Sequence, residues 1–169
     1  MSADEGFPRL KPAFTAVLDI EPGLPIGALS SGPTLVWVKI KSGTLKSHPD
    51  FPTPVNATLI SGADWIHGDP SGSVQRLDVR SVFKTEDGSL LNFSYLGLIQ
   101  MDPAIASIFT GEAKPGLVTN WSAITHKFIQ TGAEQYKSLA DGVFVAVGRF
   151  HVSEGGVAVE YKISQVVST

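Results

Sequence analysis

Residues 61–80 read SGADWIHGDPSGSVQRLDVR, and this stretch decides the fold class. Gly68, Asp69, Pro70, Ser71 and Gly72 are turn-forming residues. After them residues 75–84 alternate with period two. Arg76, Asp78, Arg80 and Lys84 share one face, while Leu77, Val79, Ser81 and Phe83 share the other. Before the turn, residues 55–60 form a strand that leads into Gly-Ala-Asp-Trp. The charged face either lines a polar-walled pocket beside Trp65 or is a solvated outer face.

Outward from this unit the chain continues as short strands. Residues 13–20 read as a first strand and residues 34–41 as a second, with a Pro/Gly-rich loop at 21–33 between them. Residues 90–100 return from a tight turn at 86–89. Strands are also predicted over 124–130, 143–152 and 157–167, the last two joined by Ser153-Glu154-Gly155-Gly156. Only two stretches look helical. Residues 102–110 open with an Asp cap and a Pro at the first helical position, and residues 134–141 form a second short helix. Many strands, short turns and little helix indicate an antiparallel sandwich or a closed barrel. Closure is favoured because it leaves no sheet edge. The expected fold is mainly β: an antiparallel up-and-down β-barrel of about eight to ten strands, lipocalin- or streptavidin-like, with one or two short helices. A loose arm is expected over residues 1–12 and a single barrel domain over 13–169.

The 169 residues are 43% hydrophobic and 17% charged, with a net charge of −3. No Lys/Arg cluster of the kind that binds phosphate backbones is present, so no nucleic-acid partner is expected. No apolar run reaches the ~20 residues that span a bilayer, and no basic-then-apolar leader opens the chain. A cytoplasmic protein without a membrane partner is expected, with homo-oligomerisation left open. The absence of cysteine excludes disulfides, thiolate catalysis and thiolate-bound metals. Scattered histidines and the lack of Gly-rich nucleotide loops or a Gly-x-Ser-x-Gly elbow lead to an expectation of no metal and no cofactor.

Three motifs carry a family resemblance: SGADW at 61–65, LDVR at 77–80, and FIQTGAEQYKSLADGVFVAVGR at 128–149. In this order and spacing, over nearly the whole chain, the sequence resembles the uncharacterised family known as domain of unknown function 3237. That family shows a Gly-Gly-Ala-Asp-Trp unit, a Leu-Asp-x-Arg strand, and a Phe-x-Thr-Gly…Tyr-x-Trp-Leu segment before Val-Gly-x-Gly-Arg. This chain departs at Ser61, Ser138 and Ala146, which implies a reshaped pocket mouth. The resemblance implies an up-and-down barrel with a central cavity, in proteins that accompany small-molecule metabolism.

Asp64 is the first candidate catalytic residue. A carboxylate desolvated against an indole has its pKa raised toward the range of general acid–base work; otherwise Asp64 caps a turn and Trp65 fills the core. Arg80 and Tyr95 are candidates to stabilise a developing oxyanion, the alternatives being an exposed charge and a wall aromatic. Trp65, Asp78, Arg149, Trp37 and Phe93 are candidates for substrate binding. For Asp78 and Arg80, facing inward requires pairing with each other or with a ligand. His67 is weighed as a proton shuttle against a surface histidine. The expected activity is cofactor-independent, acid/base-assisted cyclisation, isomerisation or dehydration of a hydrophobic oxygenated small molecule held in the barrel. A non-catalytic small-ligand-binding barrel is the alternative, and a filled interaction domain the third reading.

Overall fold

The structure is a computed structural model and describes residues 5–168. Nine strands form one antiparallel sheet: β1 (Arg9–Ile20), β2 (Leu24–Ala28), β3 (Thr34–Ser47), β4 (Asn56–Gly68), β5 (Val74–Thr85), β6 (Leu90–Gln100), β7 (Ala123–Gln130), β8 (Phe144–Ser153) and β9 (Gly156–Val167). From β3 to β9 each strand pairs with the next. β1 pairs with both β9 and β3 and so closes an eight-stranded barrel. β2 lies outside the closure and pairs with β3 alone. The up-and-down barrel expected from the alternation is the fold observed.

Several strands run longer than their alternation marks. Arg9 to Pro12 pair with Val167 to Ser164, so part of the expected arm is wall; the arm's first four residues lie outside the described ones. Proline tolerates this place because a bulge between Pro12 and Phe14 relieves the ladder. Within the expected loop at 21–33, Leu24–Ala28 forms β2, again with a bulge at its Pro25/Gly27 step. Edge strands accept such irregularity. The Gly-Ala-Asp-Trp unit is not a turn but the middle of β4.

Two short helices complete the chain. α1 (Pro103–Phe109) begins where Asp102 Oδ1 accepts the Ile105 N–H at 2.8 Å. A 3-10 turn at Glu134–Tyr136 runs into α2 (Lys137–Ala140), which buries Leu139. Among the described residues no helix is long and apolar enough to cross a membrane.

The interior is divided along the barrel axis. One half is packed solid: Phe14, Phe51 and Phe144 meet at ring-centroid distances of 4.8 to 6.3 Å, and Phe83 meets Phe93 edge-on at 5.5 Å. Leu45, Leu91 and Ile163 fill between them, fully buried. Hydrophobic burial of this kind dominates the stability of a small barrel. The other half is hollow.

Candidate functional site

The hollow is a cavity of about 320 Å³ walled by Leu18, Val36, Val38, Ile40, Ile66, Leu77, Ile99, Phe150 and Val159 among others. That is the low end of the range for small-molecule sites. Its mouth is edged by Pro22, Gly23 and Pro25 around the start of β2 and by Ile108 and Phe109 of α1. Its polar groups are few: Asp64, Tyr95 and Tyr161 deep in the wall, and Glu21 near the rim.

Asp64 reaches the lumen because β4 carries a bulge. Ala57 and Leu59 pair with Thr85 and Phe83 of β5, but the register shifts between Leu59 and Ser61, and Asp64 then pairs with Val79. One extra residue exchanges the two faces of a strand. Beyond the bulge the inward set is Gly62, Asp64 and Ile66; without it, Trp65 would point in and Asp64 out. Gly62 is required beside the bulge, since a Cβ there would lie 2.7 Å from Ser81 Cβ and 3.2 Å from the Arg80 carbonyl oxygen.

Asp64 is buried, and the Asp78 N–H donates to its Oδ1 at 3.1 Å. Burial pushes its pKa up to about 7. The Asp78 amide and the Lys127 amine pull the other way, and the Asp78 carboxylate adds a smaller upward push. Tyr95 and Tyr161 meet edge to face with ring centroids 5.3 Å apart. Burial holds both phenols above their ordinary value, with Asp64 adding to the effect. At neutral pH the cavity floor is therefore a carboxyl poised between its two states beside two neutral phenols that can donate hydrogen bonds.

Behind the phenols lies Lys127. Its Nζ sits 3.1 Å from the Tyr95 ring centroid and 3.5 Å from that of Tyr161. It is buried without a hydrogen-bond partner among the described residues. Burial drives its pKa well below the ordinary lysine value, opposed by the charge of Asp64.

Of the residues singled out from the sequence, Asp64 and Tyr95 come together in the cavity. Phe93 points inward but belongs to the packed half, edge-on to Tyr95 at 5.9 Å. The structure differs for the others expected to bind substrate or stabilise an oxyanion. Trp37 and Trp65 pair across β3 and β4 on the face opposite the cavity-lining Val36, Val38, Asp64 and Ile66. Asp78 and Arg80 stand on the outer wall 3.7 Å apart, with side chains 38% and 75% exposed. Arg149 also faces outward: its Nε donates to Glu160 at 2.8 Å, and its guanidinium lies 4.5 Å over Trp121. The physical reason is common to all of them. Their chain neighbours face the lumen, so the period-two alternation turns them outward, and for the charged ones water is far cheaper than an unpaired place inside. His67, whose ring contacts the Trp65 carbonyl oxygen at 3.2 Å, likewise alternates with the inward set.

Tyr161 and Lys127 are site residues that the sequence reading missed. Tyr161 shares a face with Val159 and Ile163, the usual sign of an inward position. Lys127 carries a misleading signal, because its strand shows Ile124 and Phe128 to solvent while burying Thr125 and Lys127.

Residues 8–166 match the model of DUF3237, described as a protein of unknown function. Solved structures share the fold. A conserved protein of unknown function from Rhodopseudomonas palustris matches at 20% identity with a TM-score of 0.74, over 95% of this chain and 98% of the other. A beta-barrel-like protein from Acinetobacter baumannii AYE matches at 20% identity and 0.71, over 94% and 96%. An enzyme from Penicillium herquei matches at 16% identity and 0.60, over 94% of each chain. No curated protein matches the sequence.

Proposed function

The chain belongs to the DUF3237 family, and we propose that it is an enzyme of small-molecule metabolism that moves a proton on a neutral, hydrophobic, oxygenated substrate held in the barrel. The observation that carries this reading is the Asp64 carboxyl, with a pKa of about 7, at the polar end of an otherwise apolar cavity. A group poised near the working pH is best suited to general acid–base catalysis.

In its ionised form Asp64 takes the proton α to a substrate carbonyl. The C–H bond breaks, an O–H bond forms on Asp64, and the electron pair moves to the carbonyl oxygen as an enolate. The Tyr95 hydroxyl donates a hydrogen bond to that oxygen, supported by Tyr161. Returning the Asp64 proton to the γ-carbon of a β,γ-unsaturated ketone gives isomerisation; giving it to a β-hydroxyl, which leaves as water, gives dehydration; attack of the enolate carbon on a second carbonyl, whose alkoxide takes that proton, gives cyclisation. The aliphatic walls orient the substrate and exclude water. None of these steps calls on a cofactor, and a cytoplasmic setting suits the reading. The Penicillium herquei neighbour's being an enzyme agrees with catalysis on this fold.

2-Tetralone, a neutral ketone small enough for the cavity, tests the reading through exchange of its α-hydrogens in deuterated buffer, followed by NMR. Wild type should accelerate exchange, with a rate that rises through pH 7. Asp64→Asn should slow it by roughly 10²–10⁴-fold, the usual contribution of a general base. Equal rates for the two proteins would remove Asp64 from the chemistry. Tight binding of the ketone without exchange would instead favour the carrier reading, which the preponderance of aliphatic lining supports.

A further inference from the structure

Lys127 has no part in the chemistry above, yet burying an amine without a partner is costly, and the chain places one at the heart of the barrel. The groups around it are few. β6 gives Tyr95, β9 gives Tyr161 and β4 gives Asp64, whose charge acts on it. β8 turns Phe144 and Ala146 inward, and β5 turns Val79, Ser81 and Phe83 inward, none of them titrating in this range. On its own strand the inward neighbours are Thr125 and Ile129. Asp78 acts on Asp64 from the outer wall. Asp64 of β4, Val79 of β5, Tyr95 of β6 and Lys127 of β7 are paired in one row across the wall, and all four are buried, so the carboxyl and the amine flank Tyr95 within the same layer of the barrel.

Tyr95 and Tyr161 line the cavity and Lys127 does not. The amine therefore lies behind the two rings, close enough to feel Asp64 and shielded from whatever fills the cavity. We propose that Lys127 is a positioning residue that shares one proton with Asp64, so that the two behave as a single acid–base unit spanning the aromatic floor. Either both groups are neutral, with the proton on the carboxyl, or both are charged, with the proton on the amine. The net charge is the same in both arrangements. A second proton enters, or the last one leaves, only at a cost in uncompensated buried charge. The site can thus present Asp64 as acid or as base without changing the total charge of the interior. With Lys127 charged, its ammonium also lies against the faces of the two phenol rings, a favourable cation–π placement.

The inference rests on the reading of Asp64 as the proton-moving group, but its test needs neither substrate nor turnover. Carbon-13 NMR of aspartate carboxyls and lysine Cε atoms, with Asp64→Asn and Lys127→Met to assign the signals, follows each titration in the folded protein. Lys127→Met keeps an unbranched side chain as far as Cε while removing the amine, and should move the Asp64 midpoint upward from about 7. Asp64→Asn should move the Lys127 midpoint downward by the same amount, because coupling between two sites is reciprocal. In wild type the Lys127 Cε signal, recognised by a midpoint well below that of the exposed lysines, should also inflect where Asp64 titrates, a reading that needs no variant to fold. An Asp64 midpoint unmoved by Lys127→Met, or a wild-type Lys127 signal blind to the Asp64 titration, overturns the proposal. If the titrations move as stated while 2-tetralone exchange is absent, the coupling stands and the proposed activity falls. If exchange depends on Asp64 but the titrations are independent, Lys127 is structural and only this inference falls.

Discussion

The Asp78 amide donates to Asp64 Oδ1 at 3.1 Å although the two side chains stand on opposite faces of the wall. The cavity carboxylate is thus held by the backbone of β5, and a change in the Asp78 side chain leaves that hydrogen bond in place. What sets the character of Asp64 is its burial.

That burial has a sign in the pH dependence of stability. Asp64 ionises near pH 7 in the folded chain and near 3.8 otherwise. Between these values the folded state holds a proton the unfolded state has released, so stability falls as pH rises. The contribution is whole below about 3.8 and gone above about 7. Relative to Asp64→Asn, wild type should lose on the order of 4 kcal/mol between pH 4 and pH 8, about three pH units at about 1.4 kcal/mol each. Urea denaturation of both proteins across this range measures it; parallel curves would mean that Asp64 titrates as an ordinary carboxyl.

Gly148 pairs with Tyr161, and a Cβ there would lie 2.5 and 2.7 Å from atoms of the Tyr161 ring. Gly148→Ala must push the phenol into the cavity. A destabilisation of about 1–3 kcal/mol is expected, together with at least a tenfold loss of affinity for the neutral dye N-phenyl-1-naphthylamine. Dye titration checks the second effect, and unchanged affinity would show that the ring has room to yield.

Gly97 makes the contrasting case. Its added Cβ would meet the Ile124 carbonyl oxygen at 2.5 Å and Thr125 Cα at 2.8 Å, which are backbone atoms that cannot rotate aside. Gly97→Ala should cost more than Gly148→Ala in thermal or urea unfolding, with no specific loss of dye binding in the protein that remains folded.

Phe83 is fully buried in the packed half. Phe83→Ala should destabilise by about 3–5 kcal/mol, while dye affinity under folding conditions stays within a few-fold of wild type. A large change in affinity would show that the two halves of the interior are not independent.

At the mouth, Asp102 caps the helix that carries Ile108 and Phe109 over the cavity. Asp102→Ala should cost about 1 kcal/mol and speed the release of bound dye several-fold in stopped-flow measurements. Release at the wild-type rate would mean that α1 does not gate the opening.

Much of the barrel was legible because alternation is a backbone property: β5, β6, β8 and β9 show it plainly, and the Asp-Pro start of α1 is a local signal. Residues Leu24–Ala28 hid as a strand because Pro25 and Gly27 read as loop, and only pairing with β3 holds them extended. The site was half legible. Asp64 and Tyr95 were found, but which way β4 faces depends on a single extra residue near Ile60 that no composition marks. The charges of β5 drew attention to the wrong side of the wall, since alternation divides two faces without saying which is inner. Lys127 was hidden by a strand that shows its larger apolar side chains to water.

Because aromatic side chains stopper one end of the barrel while the other stays open between β2 and α1, the molecule is a cup and not a tube. Whatever the cavity holds must leave over the same rim by which it entered. A vessel with one opening serves a single guest at a time, so a tightly held product would be this protein's own inhibitor.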